Sequence, residues 1–208
     1  MHLSASANKP RPDRDATPWE VSEARWRDVP EMVNMVVTAA AQGCFSPVFL
    51  DVRYQIGLAL QLFSAVLLGR MAVHGQPATR VTVRVVRQGH HMQGFALVRE
   101  FPAVSAAPHL ELHLLAVSAD SRRMGVGEAL LQDCVLRLTG GQNLLLSTLT
   151  KADGMKRLVR KMGGRPLGAV TPLGRSQQAL DAFVFGAGDL SAWQQRPWRE
   201  WLVQERSR

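Results

Sequence analysis

Apolar residues fall along this chain in two rhythms. Every third or fourth position marks a helix; every second position, or a short β-branched run, marks a strand. Val33, Val36, Val37 and Ala40 recur at helical spacing behind Asp28-Val29-Pro30. A helix is predicted there, with Asp28 as its cap, Pro30 in its first turn and Gly43 at its end. A second helix is predicted over about Val48 to Gly69, the most apolar stretch of the chain. Strands are predicted at Val21 to Trp26, Val81 to Val86, Gln93 to Phe101 and His109 to Val117, the middle two forming a hairpin across Gln88-Gly89-His90-His91. Leu130, Leu131, Cys134, Val135 and Leu138 give a further helix its apolar face, and Gly140-Gly141 stops it. Asn143 to Thr150 reads as a strand, and Asp153 to Met162 as a helix that buries Met155, Leu158, Val159 and Met162 and ends at Gly163-Gly164. Short strands close the pattern near Arg165 to Val170 and Ala179 to Phe185. Residues 1–18 read as a disordered arm, 19–189 as one domain, and 190–208, with Trp193, Trp198 and Trp201, as a helical extension or dimer contact.

The stretch between the fourth strand and the third helix carries the chemistry. Arg122-Arg123-Met124-Gly125-Val126-Gly127 joins the apolar run ending in Leu115-Ala116-Val117 to the helix that follows Glu128. Two glycines let a backbone approach an anion closely, and a helix N-terminus turns free N–H groups toward it. A P-loop needs Lys and then Ser or Thr after its last glycine, where this chain has Glu128-Ala129. A dinucleotide fingerprint needs a third glycine or alanine where this chain has Leu130.

The spacing Arg-x-x-Gly-x-Gly, with its strand and helix in register on either side, resembles the diphosphate loop of the GNAT superfamily of acyl-CoA-dependent N-acyltransferases. The order of predicted elements is similar over about Trp19 to Gly186, and the motif itself is specific over about Leu110 to Gly164. The resemblance implies an α/β (α+β) fold: a mixed, mostly antiparallel central sheet flanked by helices, with a splayed strand pair that binds CoA. It implies acetyl-CoA, or another acyl-CoA, as donor. The pantetheine arm is expected along Leu115, Ala116 and Val117. The diphosphate is expected on backbone N–H groups of Arg123, Met124, Gly125, Val126, Gly127 and Glu128, with the Arg122 side chain adding charge. A backbone N–H near Leu115 to Val117 would stabilise the oxyanion.

The resemblance also implies direct attack by an amine in a ternary complex. An amine of lysine type has a pKa of about 10.4, so it needs a base or a desolvating pocket. Glu111 stands at the interval before Arg122 at which histone-acetylating members place a catalytic Glu. Strand alternation sets His109, Glu111 and His113 on one face unless a bulge intervenes, so His113 is the other candidate base. The same three residues are metal-ligand types, although acyl transfer needs no metal. Many members protonate the leaving thiolate with a Tyr four residues before the glycine that ends the penultimate helix; Val159 stands there, and the only tyrosine is Tyr54. Solvent remains as a proton source, and so does a relay through Ser147, Thr148 or Thr150.

Composition narrows the partners. The net charge is +8 over 208 residues, mostly from arginine, which favours anionic partners and disfavours polycationic acceptors. The amine acceptor is of unknown class. Lys156, Arg157, Arg160 and Lys161 share the outer side of their predicted helix, either as a solvated face or as a contact for the CoA 3′-phosphate or nucleic acid. The apolar helix after Val48 is read as buried or facing a second copy, with no membrane role. The isolated Cys44 and Cys134 and the polar N-terminus predict a reducing, cytoplasmic setting, with Cys134 buried. Two further readings stay open: a non-catalytic module of this fold that binds CoA or nucleic acid, and an enzyme of this fold that modifies nucleic acid.

Overall fold

A computed structural model describes residues 19–71, 79–101, 109–139, 142–170 and 180–186. The expected arm at 1–18, the expected extension at 190–208 and the side chain of His109 lie outside the described residues. In chain order the elements are β1 (Val21–Glu23), α1 (Val29–Ala41), α2 (Val52–Leu68), β2 (Arg70–Met71), β3 (Thr79–Gln88), β4 (His91–Phe101), β5 (His109–Val117), α3 (Val126–Leu136), β6 (Leu144–Leu149), α4 (Asp153–Lys161), β7 (Arg165–Val170) and β8 (Leu180–Phe185). One sheet runs β1-β3-β4-β5-β6-β8-β7, with β2 paired to β3 beside that path. Every pairing is antiparallel except β5 with β6.

Two cores sandwich the sheet. On the near face α1 and α2 bury Met32, Val36, Leu58 and Leu62 against Val83, Val85, Phe95 and Leu97. On the far face α3 and α4 bury Val126, Leu130, Leu131, Cys134 and Val159 against Ala96, Val98, Leu112, Leu146 and Phe183. Gly94 admits α3: a Cβ there would lie 2.8 Å from the Ala116 carbonyl oxygen and 2.9 Å from Val126 Cγ1. Arg84 of β3, almost fully buried, clasps Asp133 of α3 at 2.9 Å and also donates to the Val21 carbonyl, which ties α3 across β3 to β1.

Several expectations change. The buried side of α1 is Met32, Met35, Val36, Ala39 and Ala40, with Val33 and Val37 only partly covered. Asp28 stands at the N-cap of α1 as expected, but its side chain makes no capping bond; its carboxylate accepts the Arg25 N–H and pairs with Arg87. The second predicted helix begins later, because Pro47–Leu50 forms a 3-10 turn and Asp51 caps α2 through the Arg53 N–H at 2.9 Å. α2 is also not fully buried: Val52, Ile56, Leu60, Leu67 and Leu68 open to solvent. Among the described residues no helix is long and apolar enough to cross a membrane.

Candidate active site

The parallel register of β5 and β6 covers only Leu110, Glu111 and Leu112, opposite Leu144, Leu145 and Leu146. Beyond that point the strands part. Leu114–Val117 stays paired to β4, while Ser147–Leu149 stays paired to β8. The edge of β5 that faces β6 is therefore without a strand partner over its last five residues, and β5 leads from there straight into the glycine loop.

That loop is a 3-10 turn, Ala119–Ser121, followed by Arg122 in an extended conformation, Arg123 at φ 66 and Gly125 at φ 89. A left-handed arginine costs about 1–2 kcal/mol, and Gly125 takes the same region freely. A Cβ at Gly127 would meet only ordinary neighbours, Leu158 Cδ2 at 3.4 Å and Val117 Cγ2 at 3.6 Å. The conformation thus demands glycine at 125, whereas Gly127 keeps the space between β5 and α4 open. Inside α3 the first N–H to bond back belongs to Ala129, which donates to the Gly125 carbonyl at 2.9 Å. Among the described residues the N–H groups of Val126, Gly127 and Glu128 have no backbone acceptor, which leaves the positive end of α3 open to an anion.

The loop is propped from β4. Gln93 is an extra residue there, since Val86 pairs with Gly94 and Arg87 with Met92. Its carbonyl accepts the Ser118 N–H at 2.9 Å, and its side-chain oxygen accepts the Ser121 hydroxyl. Ser118 Oγ donates to Ser121 Oγ at 2.8 Å.

A second extra residue lies in β5. Leu97 pairs with Leu114 and Val98 with Leu112, so His113 has no partner on β4. The bulge reverses the alternation: Leu112 faces the far core, yet Leu114 and Ala116 face the near one. It also leaves His113 beside Glu111, with Nδ1 3.9 Å from Oε1, an ion-pair distance. Arg99 stands opposite Glu111 in the register and donates to Glu111 Oε2 through Nε. The Arg99 side chain is 6% exposed, Glu111 21% and His113 34%. Burial alone pushes the Glu111 carboxyl up, but His113 and the Arg99 guanidinium pull harder, and it settles at about 2.

Glu111, His113, Leu115, Ala116 and Val117 are thus gathered on one strand, and Arg122, Arg123, Met124, Gly125, Val126, Gly127 and Glu128 follow at its end. Ser147 is exposed immediately after the last β5–β6 pair, in register two residues beyond Leu145, the partner of Glu111. Thr148 is buried and Thr150 exposed. Val159 is fully buried beside Gly164 and Phe185, where a Cβ on Gly164 would clash with both. The expected cationic face of α4 is smaller than its sequence suggests. Lys156 turns inward to the Thr150 carbonyl, Asp153 and Asp181, and Lys161 bonds both oxygens of Glu128 at 2.7 Å. Burial raises the Cys134 thiol to about 12, with the Asp133 charge adding to it, so this cysteine is inert. Among the described residues no three His, Cys, Asp or Glu side chains form a group that could hold a metal. Sequence reasoning missed Arg99 and Gln93, whose contacts come from pairings across strands and loops.

The sequence profile of the Acetyltransferase (GNAT) family matches residues 59–164. The chain belongs to this family. The match runs from the middle of α2 to the end of α4, and so takes in the strand parting and the glycine loop. No curated protein matches the chain in sequence. Solved GNAT-like structures match its fold. One is a histone acetyltransferase HPA2 and related acetyltransferase from Corynebacterium glutamicum, at 20% identity and TM-score 0.61, covering 84% of this chain and 99% of that one. YncA from Salmonella typhimurium, solved with its cofactor acetyl-CoA, matches at 14% identity and TM-score 0.62, covering 84% and 96%. A ribosomal-protein-alanine N-acetyltransferase from Brucella melitensis matches at 15% identity and TM-score 0.59, covering 81% and 99%.

Proposed function

We propose that this GNAT protein transfers the acetyl group of acetyl-CoA, or another acyl group from its CoA thioester, to an amine. The observation that carries the reading is the continuity of one path. The unpaired edge of β5 from His113 to Val117 runs into a helix N-terminus whose N–H groups at Val126, Gly127 and Glu128 lack backbone acceptors. The edge suits the amide-bearing arm of CoA, and the helix end suits its diphosphate. The thioester supplies an activated acyl carbon. Arg122 and Arg123 add positive charge beside the loop.

For the base we favour His113 over Glu111. A carboxylate with a pKa of about 2 is a weak proton acceptor, and Glu111 is already engaged by Arg99. Glu111 instead orients the imidazole through Nδ1, which leaves Nε2 to take the proton of the attacking amine. The new N–C bond forms as the C–S bond breaks, and the thiolate takes a proton from water, since its thiol is comparable to that of cysteine at about 8.5. Ser147 is the exposed hydroxyl closest in register to this point.

A second reading, binding without transfer, has one observation in its favour: the apolar, fully buried Val159 at the usual Tyr position. Calorimetric titration with acetyl-CoA, with free thiol followed over a panel of amines, separates the two. Binding with thiol release supports transfer; binding with no thiol release on any amine supports the module; no binding removes both.

A further inference from the structure

We propose that Trp19 is a positioning residue for the diphosphate of the acyl donor, acting through the carbonyl of Met124; this rests on the donor reading above. In an α-helix each N–H bonds the carbonyl four residues back. Ala129 obeys this rule with Gly125. One step earlier the same rule would send the Glu128 N–H to the Met124 oxygen. No such bond forms; that oxygen instead accepts the Trp19 indole N–H at 2.8 Å, across 105 residues of sequence. The Met124 N–H is also engaged, by the Ser121 carbonyl at 3.3 Å.

The indole also lies against the glycine that begins the helix. A Cβ on Gly125 would sit 3.6 Å from Trp19 Nε1 and 3.8 Å from its Cδ1. Trp19 is partly buried and packs against the far core as well. Its effect is to stop α3 from growing back by one residue. With Met124 occupied and Gly125 left-handed, the Glu128 N–H stays available to an anion alongside those of Val126 and Gly127. Without the indole N–H, the Met124 carbonyl becomes an orphan acceptor beside the donor that helix geometry assigns to it. The two then bond, and the anion loses one of its donors.

Trp19→Phe removes the N–H and keeps an aromatic ring. The expected result is a rise of about five- to tenfold in KM and Kd for acetyl-CoA, the size of one lost hydrogen bond, with kcat little changed. KM for S-acetyl-N-acetylcysteamine, a thioester without a diphosphate, should move less than twofold. Amide exchange gives a direct signature: the Glu128 N–H exchanges fast in the free wild type and slows in free Trp19→Phe. An unchanged acetyl-CoA KM in Trp19→Phe, or an equal rise with both donors, overturns the proposal. If the variant does not fold, the wild type carries the test, because a Glu128 amide already protected without ligand also overturns it. Wild-type protein that does not bind acetyl-CoA sinks the donor reading instead, and the two failures are distinguishable.

Discussion

The two ends of β5 are built by different means. At its C-terminal end the proposed anion site is made of backbone: a left-handed glycine, a helix N-terminus and N–H groups with no backbone acceptor. In the middle of β5 the proposed proton-handling site is made of side chains: a buried arginine, a carboxylate and a half-exposed histidine on two strands. Yet both depend on a residue that does not fit its ladder. Gln93 props the loop, and His113 is turned out beside Glu111. A bulge bends a strand and re-aims one side chain without unravelling its neighbours, which suits both tasks. Backbone sites tolerate changes of side chain but not of conformation; side-chain sites behave the opposite way.

The widest separation between the two regions comes from His113→Ala. It should lower kcat by about 10²–10⁴-fold with acetyl-CoA affinity retained, and added imidazole should restore part of the rate. An unaltered kcat removes His113 as base. At the other end, Gly125→Asp puts a carboxylate and a left-handed non-glycine where the diphosphate is expected, and should raise the Kd for acetyl-CoA about 100-fold or more in calorimetry. Unchanged affinity would break the assignment of the loop.

The third effect concerns stability, leaves the anion loop untouched and bears on the middle region alone. Glu111 falls from 4.5 to about 2 on folding. A depressed carboxylate contributes stability above its unfolded pKa and loses it as pH falls through the folded one. Glu111→Gln should therefore be less stable than wild type by about 3 kcal/mol at pH 7 in urea titrations, partly because Arg99 is left without its carboxylate. The gap should narrow as pH drops from about 4.5 toward 2. A gap constant with pH would mean that His113 and Arg99 are not what holds this carboxylate.

Most of the fold was legible in the sequence, because helices and strands here follow their apolar periods. β5 and β7 occupy the expected residues, the other predicted strands differ by one to three positions at their ends, and the two-residue β2 was not expected. The shift in α1 has a simple cause: Met32 and Met35 fill the near core, and a stripe read from Val33 and Val37 lies to one side of them. The missing capping bond at Asp28, which does hold the N-cap position, has another, since Arg87 on β3 claims its carboxylate.

The sequence by itself determined the strand, glycine turn and helix of the proposed anion loop, because they are contiguous and their geometry is local to the backbone. It also determined which residues share β5. Only the tertiary structure decided what Glu111 and His113 can do. Strand alternation sets Glu111 and His113 on one face, but it does not reveal an inserted residue, and the bulge at His113 reverses every side chain after it. His113 and Arg99 together take the basicity from Glu111; Arg99 is twelve residues away on the neighbouring strand, and only the register brings it opposite. Trp19 is the extreme case: its indole meets Met124 because β1 and α3 are packed into one core, a contact that no local pattern encodes.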